Sequence, residues 1–345
     1  MSDSKTQAAN GAPLRRAPSA REGSPRLRAL LRALSPAGRR AKLTILIFHR
    51  VREAPDPLFP REPDARGFRE RMSWVRTWFN VLPLDDAISV LANRRLPERA
   101  LAITFDDGYA DNADVALPIL REMGLPATFF VAAAFLDGGQ MWNDTVIEAF
   151  RSVRGPILDL SALDLGLHAI VTVADRRSAI DATLARLKYL SVDERLERAT
   201  AVAEIAGAKQ RRDLMLTSEQ VRALAAAGMA IGGHTVTHPI LAQLDEDTAR
   251  REIADGRDAL EAIVRQPIRL FAYPNGKPGV DYTRAHVRMV RDLGFAAAVS
   301  TSVGAARYAD STFELPRFTP WDDTSARWGF RLARNLLKKP ERAAA

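Results

Sequence analysis

Short apolar runs alternate with amphipathic stretches through most of this chain. The runs at 43–48, 101–105, 127–131, 230–232, 270–272 and 295–299 read as strands. Between them, apolar positions recur every three or four residues near 67–79, 85–93, 111–123, 217–227, 245–264 and 281–292, and this spacing predicts helices. Thr217 opens one of them with Gln220 at the reciprocal capping-box position. Strand–helix alternation of this kind defines an α/β fold. Between 135 and 216 the rhythm stops. That stretch reads as helical near 143–152, 176–190 and 192–206 without a clear strand set, so it is expected to be an insertion, about 136–216, that helps form a cleft.

The two ends break the pattern differently. Residues 1–25 are rich in Ser, Ala, Pro, Gly and Arg with no apolar period, so residues 1–40 are expected to form a disordered basic leader ahead of a body at 41–320. Within the leader, Leu27, Leu30, Leu31 and Leu34 make a stripe over 26–34. Trp328, Leu332 and Leu336 do the same in the basic amphipathic tail, 321–345. Two readings compete: helices lying on anionic lipid, or terminal helices packed on the body with snorkelling arginines. No apolar window of 18 residues occurs, and Arg15-Arg16 is not followed by an apolar stretch. A cytoplasmic protein is expected, with peripheral contact at the inner membrane face as the lipid reading.

Charge and composition narrow the classes. The 345 residues carry a formal charge of +8. Residues 1–40 hold nine bases against two acids and 321–345 six against three, which leaves the body at −2. A near-neutral body argues against a basic groove for nucleic acid. The absence of cysteine excludes disulfide scaffolds, thiolate zinc sites, iron–sulfur clusters and cysteine nucleophiles.

Polar chemistry gathers where three strands end. Thr104-Phe105-Asp106-Asp107-Gly108 runs from an apolar strand into adjacent carboxylates, which point to different sides and can divide the tasks of holding a cation and facing a substrate. An Asp capping the next helix is the plainer reading of that loop alone. Gly233-His234-Thr235-Val236-Thr237-His238 places two imidazoles four residues apart beyond another strand, a spacing that suits a divalent metal. Two His and one carboxylate leave an open position for water, as hydrolysis requires. The third loop, Tyr273-Pro274-Asn275-Gly276, is a sharp turn whose backbone N–H groups could face a developing oxyanion.

Together these loops resemble the polysaccharide deacetylase family, the NodB homology domain of carbohydrate esterases. TFDDG stands unaltered at 104–108 and the H-[ST]-x-x-H motif at 234–238, and the likeness spans about 43–320. The resemblance implies a distorted (β/α) barrel over 41–320 with a metal at the C-terminal mouth of its strands. It implies Asp107, His234 and His238 as ligands of a divalent metal, zinc first, with cobalt or nickel as alternatives. Asp106 would be the base that takes a proton from the attacking water, and the Tyr273–Gly276 loop would face the oxyanion.

The family's closing L-x-x-H motif is missing from the C-terminal part, where the sole histidine is His286. Leu46-Ile47-Phe48-His49 has that wording at the first strand, and resembles the subgroup in which the motif opens the domain. This makes His49 the candidate general acid. A second departure is Ala272, where many relatives carry an arginine that pairs with the catalytic aspartate. Arg317 is a candidate replacement, with a surface salt bridge as its plainer reading. His168 is read as structural. Trp142 and Trp321 are read as packing residues ahead of sugar-stacking ones.

The implied activity is removal of an N-acetyl group from an amino sugar, in a polysaccharide or a lipid-linked precursor of exopolysaccharide or cell envelope. The alternatives are a deformylase or deacylase of a lipid-linked sugar, and a catalytically silent carbohydrate-binding relative.

Overall fold

Each of the six apolar runs forms a strand of one sheet in the computed structural model, which describes residues 25–343. In chain order the strands are β1 (Lys42–Phe48), β2 (Asn80–Val81), β3 (Ala100–Phe105), β4 (Thr128–Val131), β5 (Ile157–Leu160), β6 (Gly166–Ala169), β7 (Ala230–Gly233), β8 (Leu270–Ala272), β9 (Ala297–Val299) and β10 (Ala306–Arg307). The helices are α1 (Pro25–Leu34), α2 (Ala65–Trp78), α3 (Leu84–Ala92), α4 (Leu117–Met123), α5 (Trp142–Ser152), α6 (Val173–Leu187), α7 (Val192–Ile205), α8 (Ser218–Ala226), α9 (Glu246–Val264), α10 (Arg284–Asp292) and α11 (Ser325–Asn335).

The main sheet runs β10-β1-β3-β4-β7-β8-β9, with β2 also on β3. All pairings are parallel except that of β10 with β1. Strands β1 and β9 do not pair directly. The chain at 312–319 lies between them instead. Leu315 N–H donates to the Ala298 carbonyl at 3.0 Å, and Phe318 N–H donates to the Ile45 carbonyl at 2.9 Å. The Thr319 hydroxyl accepts from Ile47 N–H at 2.8 Å and donates to its carbonyl at 2.6 Å. A side chain thus continues the ladder where the backbone is irregular, and the sheet curls into a distorted barrel.

Alternation along the strands sets two faces. Leu43, Ile45, Ala102, Phe130, Ala272 and Val299 pack together inside. Leu46, Phe48, Phe105, Phe129 and Phe271 pack outward under the helices. Gly232 has room for nothing larger, because a Cβ there would meet the Phe130 ring at 2.4 Å.

Three expectations change. The stretch 136–216 is not purely helical: besides α5, α6 and α7 it holds an antiparallel β5–β6 hairpin. Each strand there is four residues long, too short for its alternation to stand out. The stretch has its own apolar cluster around Val146, Phe150, Leu160, Ile180 and Val202. His168 sits on β6 with its ring edge-on to Phe150 at 5.7 Å. Secondly, the helix expected over 111–123 begins as a π-turn at Asn112–Ala116 and becomes α4 only at Leu117. Pro118, which lacks an N–H, sits where the pitch changes.

Thirdly, the leader is not disordered as far as residue 40, since α1 begins at Pro25; residues 1–24 lie outside the described range. Apart from Leu30, which is exposed, the apolar stripes of α1 and α11 face the protein. Leu31, Trp328, Leu332 and Leu336 are buried, and Trp328 joins Trp74 and Trp78 at 5.9 and 6.2 Å. The packing is close enough that a Cβ on Gly329 would meet Leu27 at 2.2 Å. Burying indoles and leucines against each other satisfies these stripes within the fold. Among the described residues no helix is long and apolar enough to cross a membrane.

Candidate metal centre and active site

The loops after β1, β3, β7 and β8 meet at one end of the barrel around a cavity of about 390 Å³. Asp107, His234 and His238 converge there. One carboxylate oxygen of Asp107 lies 3.4 Å from Nε2 of each imidazole, and the three ligand atoms lie within 4.8 Å of one another. His234 Nδ1 donates to the Ala272 carbonyl at 2.7 Å, which turns Nε2 toward Asp107. Burial pushes the His238 imidazole down to about 4, so it is neutral and able to ligate at neutral pH. Although burial works against it, the hydrogen bond to Asp107 and the charges of Asp106 and Asp107 raise the His234 imidazole, so a cation bound there would displace its proton. One carboxylate and two imidazoles then form a donor set that fits a divalent cation.

The backbone is bent hard to achieve this. Asp107, Thr235, His238 and Asn275 have φ of 74°, 66°, 55° and 57°, a left-handed region that non-glycine residues seldom occupy. What holds the histidine loop is Glu252 on α9. Its carboxylate accepts from the Val236 and Thr237 N–H groups at 3.0 and 2.9 Å and from the Thr237 hydroxyl at 2.8 Å. Gly256, one turn further along α9, lets the helix touch the loop: a Cβ there would lie 2.6 Å from the Thr235 carbonyl carbon. The loop after β4 joins the two motifs, through Ala132 N–H to the Asp107 carbonyl and Ala133 N–H to the Thr235 carbonyl.

Asp106 points into the barrel, following the parity of Ala102 and Thr104. Arg317 meets it there with Nη1 and Nη2 on the two carboxylate oxygens at 2.6 and 2.7 Å. The guanidinium also donates to the Ser300 carbonyl and the Thr104 hydroxyl, and its side chain is fully buried. Burial alone would push the Asp106 carboxyl up, but Arg317 outweighs it and holds the group below the usual range. This is no surface salt bridge. Ala272 lies on the same interior face as the pair.

His49 is exposed at the cavity wall just beyond β1, and its carbonyl accepts from the Asn112 side chain at 2.8 Å. In the YPNG loop the expectation narrows. Tyr273 does not face the cavity: its ring is buried and stacked on Tyr282 at 3.9 Å, and its N–H donates to the Val299 carbonyl. An aromatic ring at a strand end gains more from that stack than from water. Pro274 has no N–H, and that of Gly276 turns back onto the Pro274 carbonyl. Asn275 is the loop residue that lines the cavity, and the loop is tied down by Thr301 donating to its carbonyl at 2.9 Å.

Much of the opposite wall was not singled out from sequence. It comprises Arg50, Tyr109, Asn143, Asp144, Lys188 and Arg195. Tyr109 donates to Asp144 at 3.1 Å, and Arg50 lies over the Tyr109 ring at 4.4 Å while pairing with Asp111 at 2.7 Å. Burial, working against Arg50 and the Tyr109 hydroxyl, pushes the Asp144 carboxyl up to about 7. Trp142 also lines the cavity, whereas Trp321 does not. The available signal was the polar pair Asn143-Asp144 beside Trp142, inside a helical pattern that otherwise reads as packing.

A curled parallel barrel with carboxylates and imidazoles gathered beyond its strand ends is the arrangement of a deacetylase-class hydrolase. The sequence profile of polysaccharide deacetylases matches residues 93–152 and 179–298, and the chain belongs to that family. It is a hydrolase acting on amide bonds. Deacetylases of this family are metal-dependent, and Asp107, His234 and His238 are the candidate site in this chain. YxkH of Bacillus subtilis (strain 168), which carries a provisional description as a polysaccharide deacetylase, is 21% identical over 279 residues, 80% of this chain and 71% of its own length. Among solved structures, the Streptococcus pyogenes deacetylase PplD in complex with acetate superposes with a TM-score of 0.57 at 19% identity, covering 86% of this chain and 99% of that one. IcaB from Ammonifex degensii gives 0.53 at 20% identity, over 86% and 98%. A de-N-acetylase from Aggregatibacter actinomycetemcomitans gives 0.53 at 16%, over 86% and 100%. These likenesses show the fold.

Proposed function

We propose that the chain removes the N-acetyl group from an amino sugar, in a polysaccharide or its lipid-linked precursor, during exopolysaccharide or cell-envelope synthesis. The observation that carries this reading is the two-point contact of Arg317 with Asp106 beside the Asp107–His234–His238 cluster. A cation held by those three residues, zinc first and cobalt or nickel as alternatives, would supply Lewis acidity to the amide carbonyl and acidify water. Asp106, kept ionised and oriented by Arg317, takes the proton from the attacking water. The Asn275 N–H donates to the carbonyl oxygen as charge develops on it. His49 gives a proton to the departing amine, so that acetate and a free amino sugar leave. The match to the polysaccharide deacetylase profile and the YxkH likeness support a polysaccharide rather than a small metabolite as substrate.

The test is acetate release from N-acetylglucosamine oligomers, exopolysaccharide fragments and lipid-linked amino sugars, with zinc, cobalt or nickel supplied. Formate release from the same carriers would favour the deformylase reading. Stoichiometric metal without any turnover would favour a silent carbohydrate-binding relative. Asp106→Asn should abolish turnover and keep the metal; loss of metal instead would exchange the roles of Asp106 and Asp107.

Peripheral contact with an anionic membrane is a separate reading, and the buried stripes of α1 and α11 do not carry it. Their outer faces do: Arg26, Arg28, Arg327, Arg334, Lys338 and Lys339 are exposed beside Leu30, Phe330 and Leu337. Co-sedimentation with phosphatidylglycerol vesicles, lost at high salt and absent with phosphatidylcholine, is the expected result. Equal binding to both lipids, or to neither, would remove this reading.

A further inference from the structure

Four Lys and Arg side chains line the cavity, and their partners divide them sharply. Arg50 pairs with Asp111 and Arg52 with Glu62, each at 2.7 Å. Arg195 and Lys188, both contributed by the insertion, have no carboxylate partner among the described residues. Arg195 is 3% exposed. Its guanidinium lies 5.0 Å over the Trp142 ring, and one Nη donates to the Lys188 carbonyl at 3.1 Å. Those contacts use one of its five donors. A buried cation left without a counter-charge costs several kcal/mol, roughly, unless something supplies the charge. Burial lowers the Arg195 pKa and no neighbouring acid restores it.

The other groups of the cavity do not supply that charge. Asp106 is held by Arg317, Asp107 faces the two imidazoles, and Glu62 is paired with Arg52. Asp144 accepts from Tyr109 in a site where burial favours its neutral form. Lys188 caps the end of α6 one loop away from Arg195 on α7, with its Nζ 5.5 Å over the Tyr189 ring, and both residues line the same wall. Guanidinium and ammonium together suit a compact oxyanion.

We propose that Arg195 and Lys188 form an anion-recognising wall of the active-site cavity, and that the acylated sugar taken there carries a negatively charged group, phosphate or carboxylate. This rests on the deacylase reading of the site and deepens it. An N-acyl sugar bearing a phosphate would place that group against the insertion while the amide lies over the Asp107–His234–His238 cluster. A uronate neighbour in a polymer would offer the same charge in a different position. The insertion then selects the substrate and the barrel performs the chemistry. The roles fit their origins, because the insertion has an apolar cluster around Val146, Phe150 and Val202 and contributes Lys188 and Arg195 to the cavity.

The experiment compares three sugars with the metal-loaded full chain: N-acetylglucosamine 1-phosphate, a disaccharide of N-acetylglucosamine and glucuronic acid, and neutral di-N-acetylchitobiose. We expect kcat/KM for one charged sugar to exceed that of the neutral one at least about tenfold, chiefly through KM, with the gap shrinking as salt rises. Which charged sugar leads distinguishes phosphate from carboxylate. Arg195→Met should cut the charged-to-neutral ratio about tenfold. Should that variant fail to fold, Lys188→Glu at the half-buried helix end is the deciding variant, with the same fall expected. Equal or better use of the neutral sugar by the wild type, or a ratio untouched by both substitutions, would overturn the proposal while leaving the deacylase reading intact. If no sugar turns over, the deacylase reading has failed. Calorimetric Kd values for the same sugars then judge the anion wall by the same ratio.

Discussion

Arg317 holds Asp106 with two hydrogen bonds of 2.6 and 2.7 Å across 211 residues of sequence, in the interior of the barrel. Strand β8, separated from β3 by β7 and β4, offers Ala272 on the same interior face. A charged pair in a fully buried place persists because the guanidinium also reaches the Ser300 carbonyl and the Thr104 hydroxyl.

Arg317→Lys is therefore expected to lower kcat by about 100-fold or more, since a lysine cannot span both carboxylate oxygens. Metal content, read by atomic absorption, should stay at the wild-type level. Arg317→Met should cost about 3–5 kcal/mol of stability in urea unfolding, because it leaves Asp106 buried and unpaired. Adding Ala272→Arg to Arg317→Met should recover part of both losses. If the double variant is worse than Arg317→Met, the two positions are not interchangeable.

Glu252 touches no ligand atom, yet it ties the histidine loop through three hydrogen bonds. Glu252→Ala should weaken metal affinity by about 10–100-fold, the range found when a supporting partner of a ligand is removed. Competition with a chelating dye measures it. Gly256→Ala should act in the same direction, because its methyl group would press on the Thr235 backbone. Unchanged affinity in both variants would show that the left-handed residues hold the loop unaided.

The Asp144 carboxyl, raised to about 7, links stability to pH with a definite sign. A carboxyl with a raised folded-state value adds stability that is complete below about pH 4 and is lost as pH rises through about 7. The wild type should thus lose up to about 4 kcal/mol at this position between acid and mildly alkaline pH. Asp144→Asn does not titrate and still accepts from Tyr109. Its melting temperature should gain on the wild type as pH goes from 5 to 8. A constant difference across that range would refute the linkage.

Trp328 is fully buried between α1 and the Trp74–Trp78 pair. Trp328→Ala should cost about 3–5 kcal/mol, as large-to-small changes in a packed core do. Removal of residues 25–40 should lower the melting temperature for the same reason, because it takes away buried Leu31. Thermal unfolding checks both, and an unchanged transition would return these helices to the status of loose tails.

The barrel strands and the polar loops at their ends were legible from the residues, because both are local patterns: a short apolar run, then carboxylates or spaced imidazoles. The β5–β6 hairpin and the π-turn before α4 were not, since four-residue strands and a single change of helical pitch leave almost no periodic trace. The family profile covers 93–152 and 179–298, so it includes neither His49 nor Arg317. Both were reached through the resemblance, His49 from its L-x-x-H wording at the first strand and Arg317 as a replacement for the arginine missing at Ala272.

What the sequence determined alone was the order of strands, the two motifs and the residue types able to hold a cation. Tertiary structure decided how they are used. It turned Tyr273 into a core ring, made Arg317 the partner of Asp106, set Glu252 behind the histidine loop and brought Lys188 and Arg195 to the cavity. It also folded the stripes of α1 and α11 against the body. The physical reason is common to all of these: each depends on which distant segment fills the space beside a side chain, and that is fixed only when the barrel closes.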